Sequence, residues 1–176
     1  MQIIRSVSRI RDPYVKRILS NTIGKDAFAV YSRTPDKLTR LVRGLRRAEL
    51  RRSLAKGKWS IAQIINHLYD SELVMGFRYR MAIAQPRSRL QAFDERKWAE
   101  RLRYESTDPE AKLELFVKMR RDHVTLLRAL RPRDWKLWGM HEERGRETID
   151  RMVQMMAGHD INHLRQIENI RRKIKG

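Results

Sequence analysis

The last thirty residues constrain this chain most. Ile149, Met152, Met156, His159, His163, Ile167, Ile170 and Ile174 recur at spacings of three and four. That period places all eight on one face of a helix running from about Glu147 to Lys173. An apolar face of this length needs other helices to bury it, so the chain must supply them. It also forces two histidines, His159 and His163, onto core positions one turn apart.

The rest of the sequence offers the partners. Asp12-Pro13 is a cap followed by proline and predicts a short helix to about Leu19. Thr34-Pro35 repeats the signal and predicts the start of a helix carrying Leu38, Leu41, Val42 and Leu45. Gly57 breaks the chain. Ser60 followed by Gln63 reads as a capping box opening a long helix to about Ala84, before Pro86. Asp108-Pro109-Glu110 opens another, ended by Pro132, with Leu113, Phe116, Val117, Leu126, Leu127 and Leu130 as apolar positions. Residues 87–107 and 133–145 are long connections, the first with room for short helical pieces. Sustained strand-type alternation is absent. The expected class is all-α, a four-helix bundle with crossovers, in a single domain over residues 1–176 with a basic extension at 1–11.

Composition narrows the chemistry. The chain has no cysteine, which excludes disulfides, Cys-zinc sites and protein thiol nucleophiles. Its net charge is +19, with arginine well ahead of lysine, and this first suggests an anionic partner. The basic N-terminus lacks a long apolar run and a small-residue cleavage site, so no secretory signal is expected. No window reaches the length of a membrane span. A cytoplasmic protein without a membrane partner is the expectation.

Two stretches contain no Lys or Arg: between Lys58 and Arg78, and between Arg151 and Arg165. They hold His67, which falls on the same spacing as Ile64 and Val74, and the His159/His163 pair. Two readings are open for these imidazoles. They are hydrogen-bonded core residues, or the three nitrogens hold a divalent metal such as Zn or Ni and leave a coordination position open. Asp160, Asn162, Gln166 and Asp70 flank them, as orienting groups or as solvated ones. His159-Asp160-Ile161-Asn162-His163 is not the zinc-protease pattern, since aspartate stands where that motif has its glutamate base. Asp70, His141 and Glu143 are the undecided candidates for a general base. Trp135 and Trp138 read as a plug at the bundle end, and Met152, Met155 and Met156 as core filler.

The segments from Lys58-Trp59-Ser60 through His67 to Glu72, and from Gly158-His159-Asp160 through His163 to Ile167, resemble the DinB-like superfamily, in particular its YfiT-like branch of metal-dependent hydrolases. Thr34-Pro35, Phe93-Asp94 with Trp98, Asp134-Trp135 and residues 139–145 support the likeness in the same chain order. The resemblance implies an up-down-down-up four-helix bundle and a divalent metal held by His67, His159 and His163. In related branches the metal serves thiol-dependent transfer with bacillithiol or mycothiol, or a thiol-dependent isomerisation. By that analogy a low-molecular-weight thiol is a co-substrate and a small electrophile the substrate. Family members are often homodimers, so a second copy is among the expected partners. The alternative is a helical bundle that binds nucleic acid or another polyanion through its charge. The arginine-heavy segment from Arg43 to Lys58 is its best patch, although no recognised nucleic-acid motif accompanies it, and such binding is expected to be non-specific.

Overall fold

The computed structural model describes residues 3–175; residues 1, 2 and 176, the outermost ends of the expected single domain, lie outside the described residues. The chain forms α1 (Pro13–Ser20), α2 (Ala27–Val42), α3 (Arg47–Arg51), α4 (Ile61–Ala84), β1 (Arg89–Leu90), α5 (Glu95–Arg101), α6 (Pro109–Arg128), β2 (Trp138–His141), β3 (Gly145–Thr148) and α7 (Ile149–Lys175). The caps do what their chemistry dictates. Asp12 accepts from the Val15 amide at 3.0 Å and Asp108 from the Glu110 amide at 2.9 Å. Ser60 and Gln63 close a reciprocal box at 2.9 and 3.3 Å.

One expected boundary is wrong. Thr34-Pro35 does not open a helix: α2 already begins at Ala27, capped by Asp26, and Pro35 lies inside it. Proline has no N–H for the carbonyl four residues back, which is that of Tyr31. The helix nevertheless continues, and the Nη1 of Arg120 donates to the Tyr31 carbonyl in place of the missing N–H, at 2.9 Å.

Helices α2, α4, α6 and α7 make the bundle, and cross-helix pairs give their directions. Tyr69 meets Lys112, Glu72 meets Arg120 and Arg80 meets Asp122, so α4 and α6 run parallel. His67 meets His163 and Glu72 lies with Asp160 about the same guanidinium, so α4 and α7 run antiparallel. Helices α2 and α7 run parallel, with Thr34 beside Asp160 and the Leu41 carbonyl bonded by Arg171. The topology is up-down-down-up. Two consecutive parallel helices, α4 and α6, need a crossover, and residues 85–108 supply it with β1 and α5. The connection before α7 departs from the all-helical expectation. It forms an antiparallel hairpin, β2 with β3, and β1 adds in parallel to β2. Residues Glu147 and Thr148, expected at or near the start of the last helix, belong to β3.

The interior is two apolar clusters separated by a polar layer. One cluster gathers Tyr31, Met75, Tyr79, Leu127, Met152 and Val153; the other gathers Leu38, Ile64, Leu68, Phe116, Leu164 and Ile167. Between them sits Arg120, with no exposed side-chain surface. Its Nε donates to Glu72 at 2.8 Å, and Nη1 and Nη2 donate to Asp160 at 2.6 and 3.2 Å. Glu72 also accepts the Tyr31 hydroxyl at 2.6 Å and meets His123 Nδ1 at 2.6 Å. The His123 ring lies against Gly76, where a Cβ would overlap it.

Two outcomes test this packing. Exchanging a mid-helix glycine for alanine ordinarily stabilises by up to about 1 kcal/mol. At Gly158, however, a Cβ would strike the backbone carbonyl of Ile18 on α1. Gly158→Ala is therefore expected to destabilise by about 1–3 kcal/mol in urea unfolding; a gain would show that α1 moves aside freely. For Glu72, burial pushes the carboxyl up, but Arg120 and His123 outweigh it and hold it at about 2, against an ordinary 4.5. A carboxyl depressed in the folded state contributes stability that is complete above its unfolded value and is lost as pH falls through its folded one. Unfolding titrations from pH 4.5 to 2 should show a shallower loss in Glu72→Gln than in the wild type, from a lower neutral-pH starting value. Equal slopes would remove Glu72 from the acid response.

Candidate metal centre

His67 stands seven residues after the Ser60 cap on α4, and His159 and His163 stand one turn apart on α7. The antiparallel packing of these helices brings the three rings together. His67 Nε2 is 2.8 Å from His159 Nε2, which is 3.1 Å from His163 Nε2. One ligand atom from each residue falls within 4.8 Å of the others. His67 is fully buried, and His159 and His163 are each 7% exposed. Trp59 covers His67 from the side, its ring centroid 5.0 Å away.

The electrostatics keep these rings neutral. Burial holds His67 well below the usual imidazole value, with His163 adding to the effect. Burial does the same at His159, helped by the other two rings and by Arg120 and Arg17. It lowers His163 to about 4, against a partial opposing pull from Gln166. Each neutral ring presents one N–H and one lone pair. His163 Nδ1 donates to Gln166 Oε1 at 2.9 Å, which turns its Nε2 lone pair toward the other rings. His159 Nε2 faces two nitrogens with a single N–H or a single lone pair, so one of its two contacts is left unmatched. Among the described residues, His67 Nδ1 and His159 Nδ1 have no hydrogen-bond partner. Three lone pairs directed at one cation resolve that mismatch. Nitrogens bound at roughly 2.0–2.1 Å to a tetrahedral ion stand about 3.3 Å apart, close to the spacings found. The donor set fits a first-row divalent metal.

The site opens outward into a cleft of about 1540 Å³, lined by His159, His163, Asn162 and Gln166 of α7, Trp59 before α4, and α1 and α5 opposite. Arg17, Lys56, Lys58, Arg96 and Lys173 stand around it. The flanking residues divide. Gln166 orients His163, whereas Asp160 turns away to Arg120. Asp70 is buried, with its carboxylate accepting the Tyr104 hydroxyl; burial raises it while that bond and Lys112 lower it. His141 lies in the β-hairpin, where its Nδ1 accepts the Glu143 and Arg144 amides at 3.2 and 3.4 Å, ahead of Gly145 at φ 72°. Neither Asp70, His141 nor Glu143 lines the cleft.

A residue the sequence did not single out does. Glu95, at the start of α5, faces the cleft half-buried and in no ion pair within 4 Å among the described residues. Burial raises its carboxyl, with Arg17 pulling the other way. The Asp94 cap two residues after Ala92 was the available signal, since it marks where α5 begins. Trp135 packs edge-on against Phe28 at 5.6 Å and against the apolar cluster of the bundle, as the plug reading expects, whereas the Trp138 ring meets Arg146 at 4.9 Å. No helix among the described residues is long and apolar enough to cross a membrane.

A sequence model of the DinB superfamily matches residues 31–167. The chain is 30% identical over 136 residues to a protein of Oceanobacillus iheyensis named a putative metal-dependent hydrolase, covering 77% of this chain and 78% of that one. It is 24% identical over 140 residues to a protein of Bacillus mycoides with the same designation, covering 80% of each. Among solved structures it is similar to YfiT from Bacillus subtilis, described as a probable metal-dependent hydrolase with an unusual four-helix bundle topology. That likeness has a TM-score of 0.78 and 22% identity over 85% of this chain and 86% of that one, and concerns the fold.

The geometry makes a prediction for the metal-free protein. A buried imidazole without matched partners costs roughly 1–3 kcal/mol. His67→Leu in chelator-treated protein should therefore leave stability within about 1 kcal/mol of wild type or raise it, while Ile64→Ala on the same helix loses about 2–5 kcal/mol. Urea unfolding compares them; a large loss at His67 would mark the three rings as a stabilising core element instead.

Proposed function

Since the chain belongs to the DinB superfamily, we propose that His67, His159 and His163 hold one divalent metal ion and that the cleft beside them binds the small molecule on which it acts. The observation that carries this reading is the convergence of three buried Nε2 atoms, two of them, on His159 and His163, belonging to rings that line an open cleft. A divalent ion so held acts as a Lewis acid, polarising an oxygen or sulfur donor and lowering its pKa. Zinc or nickel suits three imidazoles.

This chain's own residues do the rest. Gln166 fixes the His163 ring by taking its Nδ1 proton in a hydrogen bond, and Trp59 shields His67 from water. The surrounding cations draw in anionic molecules and screen charge on a bound one. Of the cleft carboxylates Glu95, Glu100 and Glu105, Glu95 is the half-buried one, flanked by Arg17 and Tyr14, and is the candidate to take or return a proton there.

The reaction class is metal-dependent hydrolysis or transfer of a thiol to an electrophile. The cleft exceeds the roughly 300–1,000 Å³ usual for one small ligand, which leaves room for two reactants side by side. The chain has no thiol of its own, so a sulfur nucleophile would have to enter as a small molecule such as bacillithiol.

Elemental analysis of the purified protein tests the centre. About one equivalent of zinc or nickel is expected per chain, lost in His163→Ala. Equal metal content in both proteins, or none taken up when zinc and nickel are offered, would overturn the assignment. The loaded protein, assayed with a thiol panel against 1-chloro-2,4-dinitrobenzene, then separates transfer from hydrolysis.

A further inference from the structure

We propose that Arg120 is a positioning residue for the three histidines: seated on a backbone carbonyl that Pro35 leaves free, its guanidinium fixes α7 against α4 and so sets where the rings meet. The inference rests on the reading that those rings hold a metal.

The seat comes first. In an unbroken helix the Tyr31 carbonyl would accept the N–H of residue 35. Pro35 has none, and the carbonyl accepts Arg120 Nη1 instead. The Tyr31 ring adds a face to the same seat, 3.7 Å from the guanidinium carbon. The guanidinium is thereby anchored to α2 before it touches a carboxylate.

Its other donors then reach the two helices that carry the histidines. Asp160 is the residue after His159, and Glu72 lies five after His67, roughly 7.5 Å along α4. The two bonds to Asp160 come from different nitrogens of one rigid fork, so they oppose rotation of α7 about its axis as well as sliding along it. Rotation matters most at the ligand atoms. Turning α7 by about 10–20° displaces a side-chain tip by an ångström or more, whereas metal sites hold their distances to about 0.2 Å.

A stabilising role alone does not account for the choice. Buried ion clusters are often replaceable by apolar side chains with little loss of stability. What an apolar replacement lacks is the directional fork. The neighbouring groups act the same way. His123, Tyr31 and Glu72 hold one another by short hydrogen bonds around the same guanidinium, leaving it little freedom to move.

The test uses the full-length protein, zinc(II) as probe against a chromophoric chelator, and cobalt(II) absorption as a report of ligand geometry. Arg120→Lys keeps the charge but not the fork, and is expected to weaken zinc binding by roughly 10–100-fold, as lost outer partners do. Pro35→Ala restores the N–H, draws the Tyr31 carbonyl back along the helix, and should weaken zinc in the same direction while the helix itself becomes no less stable. Both should alter the cobalt spectrum. If both variants bind zinc within about twofold of wild type, with an unchanged spectrum, the proposal is overturned. His163→Ala serves as the separate control: zinc binding as tight as wild type there, or none in the wild type, refutes the metal reading itself. In that event the positioning claim is judged in metal-free protein by imidazole nitrogen-15 resonances. Arg120→Lys should move those of His159 and His163 more than that of His141, and no such difference would end it.

Discussion

A guanidinium with no contact with water must find its acceptors inside the protein, and Arg120 finds them on the three other helices of the bundle. Tyr31 supplies a carbonyl, Glu72 and Asp160 supply carboxylates, and each belongs to a different helix. An error in the placement of any one would strand a buried charge, which costs far more than a misplaced methyl group. The two apolar clusters on either side tolerate small shifts, because dispersion and hydrophobic burial have little directional preference. The ion layer between them does not. It accounts for why four helices with an unusual chain order settle in one register.

That register is also what the histidines need. Their helices cross antiparallel, so residues far apart in the chain meet at one level, and the level is set within a turn and a half by the ion layer. Burial keeps all three rings neutral and therefore able to donate lone pairs. The buried cation beside this interior, Arg120, comes from neither α4 nor α7 but from α6. Glu72 and Asp160 offset its charge, although part of it still reaches His159 and helps keep that ring neutral. Outside, the excess of basic residues is a surface property, and part of it surrounds the cleft.

Several features of the site were legible in the sequence for definite reasons. His159 and His163 interrupt an apolar stripe without breaking its period, and helix geometry then requires them to point inward together. Ser60 and Gln63 fix the start of α4, and hence the phase of His67. The absence of Lys and Arg around all three matched an interior, since cations are rarely buried without partners. Arg120 carried a similar signal: it falls on the core spacing of α6, three after Val117 and seven before Leu127, yet a charged residue there reads as a break in the stripe. Pro35 misled, because proline is ordinarily a helix opener, and here the carbonyl it leaves free is answered by a side chain distant in sequence. For Glu95 the Asp94 cap marks only where α5 begins; that its side chain reaches the cleft depends on how the crossover folds.

The sequence by itself determined where the long helices α4, α6 and α7 run, which face of each carries the apolar stripe and that the three histidines are carried inward, because period, caps and charge gaps are local consequences of backbone geometry and solvation. Tertiary structure alone decided which helices are neighbours, that the Tyr31 carbonyl is answered by α6, that the second connection folds into a hairpin and that Glu95 rather than Asp70, His141 or Glu143 faces the cleft. Those choices depend on contacts between residues tens of positions apart. Their energies come from matching donors to acceptors across helices, and no local pattern in the chain records that match.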